Sequence, residues 1–346
     1  MLRHWQELHR AFSVRAHPAF QIRCPLGLPP DIAPPVGRLR RTFQKYVAYP
    51  WQTRLSGGAE VVHILDHSYA HLMRCTPAGA CKIVTVHDLA PLEDPDALQP
   101  KQLRRFRRTV EWLNRADILL PVSEYTKKAL LCFLTAAPRI EVLPMGVNVA
   151  GFSKPQSTKT ASSLPQCPKI LSIGSCLKRK NLALLPEVLR RVIAELGPVA
   201  LVRVGEPLPP ELRQRLDALL GEENLVELGL LADDEVVAIY QSTDVLLLPS
   251  RLEGFGLPVA EAMAAGCPVV CSRASSLPEV GGDAAMYFDP SDAEEAAAGI
   301  IEVLRNSDLR ASIVDRGRRR AQELSWENHA SRLAEIYTSV LRRESR

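Results

Sequence analysis

Between residues 169 and 271 short apolar runs alternate with stretches of helical periodicity, and turn residues separate each from the next. Residues 169–173, 199–204, 226–228, 245–248 and 268–271 read as strands. Residues 182–196, 210–220, 233–241 and 258–265 read as helices, the third with Asp233 or Asp234 as its N-cap. Strict alternation leaves few architectures open. Parallel strands need helical crossovers, and the helices then cover both faces of the sheet, so a doubly wound, Rossmann-like α/β domain is predicted. No Gly-x-Gly-x-x-Gly follows its first strand, which disfavours dinucleotide binding of the dehydrogenase type.

The first half alternates in the same way, with strands at 61–65, 82–86, 117–122 and 140–143 and helices at 98–114 and 123–133. At 346 residues the chain is long enough for two domains, predicted at 1–150 and 169–326. The stretch 151–168, polar and proline-containing, is expected to link them. Charge divides along the same line: residues 1–150 carry 20 Lys and Arg against 12 Asp and Glu, the remainder 23 against 27. Opposite bias fits two domains with different partners. No apolar run approaches the roughly 18 residues of a membrane span, and the first residues lack a signal peptide's apolar stretch. The eight cysteines form no Cys-x-x-Cys pair, so they read as reduced residues of a cytoplasmic protein, without a zinc site or disulfide framework.

Chemistry concentrates in Pro249-Ser-Arg-Leu-Glu253-Gly254-Phe255-Gly256-Leu257-Pro258-Val-Ala-Glu261, which lies between an apolar strand and a helix opened by Pro258 and ended by Gly266. Gly254 and Gly256 let backbone amides approach a ligand, and the helix start aims its positive dipole end at it. Such a turn suits an anionic, hydroxyl-rich ligand, with N–H groups for phosphate and carboxylates for sugar hydroxyls. The segment resembles the Glu-x7-Glu motif of retaining glycosyltransferases of the GT-B fold, glycosyltransferase family 4. That resemblance implies two facing Rossmann-like domains. It also implies that Glu261 holds the ribose and that Glu253 contacts the transferred sugar.

Other positions extend the resemblance. Arg179 and Lys180 follow Gly174 where the domain's first strand passes into its first helix. A cation pair at a helix start opposes the usual dipole preference, so a counter-anion is implied. The family's Gly-x4-Arg-Lys-Asn pattern assigns them the donor diphosphate, together with Gly254, Phe255, Gly256 and Leu257. His87, in Val86-His87-Asp88 at the end of a strand, matches the family's His-Asp element facing the donor sugar. His67, Tyr69 and Asp88 are candidates for the acceptor side, and Leu230, after Gly229, for the nucleobase. Ser123 reads as an N-cap. The helix after Ser325 resembles the family's last helix, which packs back on the first domain as residues 327–346. Lys101, Arg104, Arg105, Arg107 and Arg108 form a basic helical run, read as a solvated face or as a contact for an anionic membrane surface.

Family members begin with a strand and a glycine-rich loop. Here Met1 leads into an amphipathic segment with Trp5, Leu8 and Phe12, so the first domain is expected to lack its usual first strand. A fragment of a longer protein, a misassigned start and an incomplete cleft are the three explanations. The resemblance as a whole implies transfer of a sugar from a nucleotide-sugar donor to a sugar, polysaccharide or lipid-linked acceptor, with retention and without a metal. No nucleic-acid module is recognised. The alternative is a catalytically impaired GT-B protein that binds or regulates.

Overall fold

A computed structural model of the chain describes residues 2–14, 44–55, 57–94 and 99–344. It divides into two compact units, Met1–Pro144 with Trp326–Arg346, and Met145–Ser325. Trp5 and the upstream strand question fall on residues whose side chains or backbone lie outside that description.

In unit 1 the described strands β1 (Val61–Ile64), β2 (Cys81–Val86), β3 (Ile118–Pro121) and β4 (Arg139–Ile140) form one parallel sheet in sequential order. Val84, Val86, Leu119 and Leu120 are buried without alternation, as expected for strands covered on both faces. Each contributes about 1.5–3 kcal/mol by leaving water. The helix Trp326–Glu344 packs on β1 and on the helix Leu2–Val14. One anchor is a ring pair, Tyr337 with Phe12 at 6.4 Å. The other is His63, whose Nδ1 lies 2.7 Å from the Tyr337 hydroxyl while its Nε2 lies 2.8 Å from the Thr85 hydroxyl. The basic helix spans Pro100–Glu111, shorter than 98–114, because a 3-10 turn, Trp112–Arg115, takes over before β3.

Unit 2 holds six parallel strands: β5 (Lys169–Gly174), β6 (Ala200–Gly205), β7 (Leu225–Glu227), β8 (Val245–Leu248), β9 (Val269–Ser272) and β10 (Met286–Phe288). Their spatial order is β10-β9-β8-β5-β6-β7. The chain runs outward from β5 to β7, returns to place β8 beside β5, and runs outward the other way. Strand order therefore reverses between β5 and β8, and ligands of such sheets bind at that crevice, beyond the carboxyl ends of the strands. Strand β10 was not anticipated from the sequence. Its three residues are too few to show a pattern, and pairing with β9 defines it.

Two local expectations change. Asp233 and Asp234 do not cap their helix: Ala232 occupies the cap position, and both aspartates sit in the first turn, where their charge meets the positive dipole end. The stretch 151–168 is not loose chain. It takes in the end of the helix Val149–Ser153 and the helix Lys159–Ser162, both packed within unit 2. Gln241 Nε2 donates to the Phe152 and Lys154 carbonyls, and the Thr160 hydroxyl to Glu235. Polar side chains here satisfy backbone groups instead of facing solvent.

Candidate active site

The two loops at the reversal of strand order carry the site of unit 2. After β5, residues Lys178–Lys180 make one 3-10 turn ended by Asn181 in the left-handed conformation (φ 57°). An asparagine tolerates that conformation, and here its amide is used. Asn181 Nδ2 donates to the Pro249 carbonyl at 3.0 Å and to the Pro290 carbonyl at 2.7 Å. The Arg251 amide donates to the Arg179 carbonyl at 2.8 Å. The basic turn is thus fastened directly to the loop after β8.

That fastening brings three predicted residues together. Lys180 Nζ lies 2.5 Å from Glu253 Oε1, and Arg179 Nη1 lies 3.2 Å from Glu253 Oε2. The Ser250 hydroxyl donates to Glu253 Oε1 at 2.8 Å. The backbone of Glu253 is fixed as well: its N–H donates to the Ser275 hydroxyl at 2.8 Å, and its carbonyl accepts from Ser276 at 3.0 Å. Ser275 holds φ 52°, a costly conformation for serine, and the bond to Glu253 offsets the strain. The Glu253 side chain is only 7% exposed, against 12% for Lys180 and 22% for Arg179. Two cations against one carboxylate leave a net positive charge at the crevice, suited to a further anion.

Gly256 precedes the helix Leu257–Ala265 with φ 95°, and a Cβ there would come within 2.6 Å of Leu277. Glycine is required on both counts. Pro258 has no N–H and the Val259 amide donates to the Gly256 carbonyl at 2.9 Å, so Leu257 carries the free donor of that first turn. Gly254, Phe255 and Gly256 are buried, and Leu257 is half-buried. Glu261, one turn further, is buried, with Oε2 accepting from the Tyr240 hydroxyl at 3.1 Å. Leu230 is 91% exposed just after β7, and the carbonyl of Gly229 accepts from Gly205.

Arg203 was missed. It lies on β6 and is fully buried, donating to the carbonyls of Ser172, Val204 and Gly174 at the carboxyl edge. A single arginine inside the apolar run Ala200-Leu-Val-Arg203-Val was the available signal. Asn181 was seen only as the end of the Gly-x4-Arg-Lys-Asn pattern, and Ser250, Ser275, Ser276 and Tyr240 were given no role, because side-chain hydrogen bonds across distant loops have no spacing rule.

Unit 1 collects the remaining candidates. His87 follows β2, and its Nε2 donates to the Leu65 carbonyl at 2.8 Å. His67 is buried, accepts weakly from the His87 amide at 3.4 Å, and lies 3.8 Å from Asp66. Burial pushes its pKa down, against the pull of Asp66 and Asp88. Burial also works to raise the Asp66 carboxyl, but His67 and the Ser68 amide outweigh it and hold that carboxyl below its ordinary value. Asp88 accepts from the Ala90 amide at 3.1 Å and so shapes the turn after β2. The Tyr69 amide donates to the Asp66 carbonyl at 2.9 Å, and its ring lies 4.4 Å from the Lys45 ammonium. Desolvation lowers the Lys45 pKa. Ser123 caps its helix as read, accepting from the Thr126 amide. Among the described residues no cluster of His, Cys, Asp and Glu is arranged to hold a metal ion, and no helix is long and apolar enough to cross a membrane.

Comparison with known proteins agrees with this geometry. The family "Glycosyl transferases group 1" matches residues 157–320, and "Glycosyltransferase Family 4" matches residues 4–150. The chain is 32% identical over 307 residues to the MMP alpha-(1->4)-mannosyltransferase of Mycolicibacterium hassiacum, covering 83% of this chain and 72% of that protein. It is 29% identical over 284 residues to the O-antigen chain mannosyltransferase B of Escherichia coli, covering 74% and 69%. In fold it is similar to the sucrose-phosphate synthase of Thermosynechococcus elongatus, with TM-score 0.71 and 20% identity over 97% of this chain and 92% of that one. Both units have the parallel α/β architecture of the GT-B fold, and the chain belongs to glycosyltransferase family 4.

Proposed function

We propose that the protein moves a hexose, with mannose the first choice, from a nucleotide-diphosphate sugar to a carbohydrate or lipid-linked acceptor, with retention at the anomeric carbon. The observation that carries this reading is the Arg179–Lys180–Glu253 cluster where strand order reverses. Arg179 and Lys180 hold the diphosphate, the guanidinium as a fork and the ammonium as a point charge, and stabilise the charge that develops as it leaves. The amides of Gly254, Phe255, Gly256 and Leu257 add donors to the same group. Glu261 takes the ribose hydroxyls, Leu230 lies against the base, and Glu253 steadies the oxocarbenium-like sugar. By the family resemblance His87 is the candidate for orienting the donor sugar, and His67, Tyr69 and Asp88 are the candidates for the acceptor. In a front-face displacement the leaving phosphate accepts the acceptor's proton, and no metal is needed.

The relatives named above are mannosyltransferases, which favours mannose; the cation and carboxylate chemistry is indifferent to the hexose. Incubation with GDP-mannose, UDP-glucose and ADP-glucose, each with an acceptor library, is expected to release nucleotide from one donor and to survive EDTA. NMR of the product is expected to show the donor's anomeric configuration. Donor binding with no release on any acceptor would instead identify a binding or regulatory protein of the same fold. The exposed Lys101, Arg104, Arg107 and Arg108 of the helix Pro100–Glu111 are assigned to an anionic membrane surface. Co-sedimentation with phosphatidylglycerol vesicles, lost at high salt, tests that assignment.

A further inference from the structure

We infer that the Glu253 carboxylate is the internal counter-ion which the donor's diphosphate has to displace. By this exchange the site prefers an intact nucleotide sugar to the nucleotide diphosphate left after transfer. The inference rests on the reading of Arg179 and Lys180 as the diphosphate cradle, and it adds a second task to Glu253. The cradle is already engaged by Glu253. Lys180 Nζ gives a charged hydrogen bond to Oε1 and Arg179 Nη1 one to Oε2, and the side chain that receives them is almost wholly sequestered from water. Arg179 Nη1 also donates to the Leu252 carbonyl at 2.9 Å, so its direction toward the Glu253 loop is fixed by two acceptors.

A diphosphate entering this crevice takes donors from the carboxylate. Glu253 then keeps the Ser250 hydroxyl on Oε1 and needs replacements for two charged donors. With a nucleotide sugar these are present in the same ligand, because sugar hydroxyls beyond the diphosphate can donate to the carboxylate. With a nucleotide diphosphate they are absent, and the terminal phosphate carries more negative charge toward Glu253. A buried carboxylate stripped of its partners is strongly disfavoured, so the empty site and the sugar-loaded site are the two comfortable states. After transfer the carboxylate reclaims Lys180 and Arg179 and drives the product out. The residue that steadies the sugar thus also discriminates between donor and product.

Titration calorimetry on the full chain tests this with GDP, UDP and inorganic pyrophosphate as product-like probes, and GDP-mannose and UDP-glucose as donors. Glu253→Gln keeps the shape and removes the charge. It is expected to bind nucleotide diphosphate and pyrophosphate about tenfold more tightly than the wild type, while nucleotide-sugar affinity stays level or falls. Ser250→Ala loosens the carboxylate without removing it and is expected to shift the same ratio by about two- to threefold. Diphosphate affinity unchanged or weakened in Glu253→Gln overturns the inference. If that variant does not fold, an unchanged ratio in Ser250→Ala overturns it equally. Lys180→Ala separates this failure from that of the underlying reading. Weaker binding of all the diphosphate probes there, without tightening in Glu253→Gln, removes the exchange alone. No loss in Lys180→Ala removes the cradle itself.

Discussion

The two units stabilise their polar centres by opposite means. Unit 2 gathers full charges, two cations on one shielded carboxylate, at the crevice of a sheet whose strand order reverses. Unit 1 buries imidazoles and keeps His63 and His329 neutral. His63 bridges the Tyr337 and Thr85 hydroxyls, and His329 donates from Nδ1 to the Pro144 carbonyl at 2.7 Å. Burial, reinforced by neighbouring imidazoles, pushes the His63 pKa down to about 3; burial pushes His329 down to about 4. An ion pair answers to competing anions, whereas a neutral imidazole answers to protons. The same chain should therefore have one unit sensitive to ligand charge and another sensitive to acid.

Acid is the largest test of that contrast. Below the ordinary histidine value of 6.5 the unfolded chain binds protons that folded His63 and His329 refuse. Stability therefore falls as pH drops from about 6.5 toward 4, by about 1.4 kcal/mol per pH unit for each ring. All four tryptophans, Trp5, Trp51, Trp112 and Trp326, belong to unit 1, so their fluorescence follows that unit alone. Urea midpoints by tryptophan fluorescence should drop steeply between pH 7 and pH 4.5, while β5–β10 hold by hydrogen exchange. Equal losses in both units would erase the contrast. In the charged unit, Lys180→Ala is expected to weaken donor use ten- to a hundredfold, at about 1.5–3 kcal/mol for a charge-assisted bond. Steady-state kinetics with the active donor checks this, and unchanged turnover would detach Lys180 from the site.

Smaller effects probe the scaffolding of each site. Gly256→Ala forces an L-residue to φ 95° and crowds Leu277, at a cost of about 1–3 kcal/mol. Thermal unfolding should register it, and donor affinity should fall with it, because the amides of the Gly254–Leu257 turn shift. Ser123→Ala removes the cap of the helix Glu124–Leu131 and is expected to cost about 1 kcal/mol in the tryptophan-detected transition. It should leave nucleotide binding by unit 2 untouched; a matching loss of donor affinity would show that the polar centres are not independent.

Much of unit 2 was legible in the chain because its signals are local. An apolar run, a proline at a helix start and a glycine after its end each act within a few residues. The helix Leu257–Ala265 came out one residue longer than read, and Gly266 ends it in the left-handed conformation. Glu253, Arg179 and Lys180 could each be picked out by motif. Their contact could not, since 73 residues separate Lys180 from Glu253. The capping role of Asp233 failed because Ala232 already met the geometry of the cap, and the stretch 151–168 failed as a linker because its partners, Glu235 and Gln241, lie far along the chain. Periodicity alone determined two α/β units, and motif resemblance singled out the candidate residues Glu253, Glu261, Arg179 and Lys180. The tertiary structure decided that β8 returns to lie beside β5, and that Asn181 and Arg251 fasten two loops into one crevice. It also decided that the Glu253 carboxylate rests on Arg179 and Lys180. Strand order and ion pairing are set by burial and Coulomb energy between residues far apart in sequence, and no local pattern encodes them.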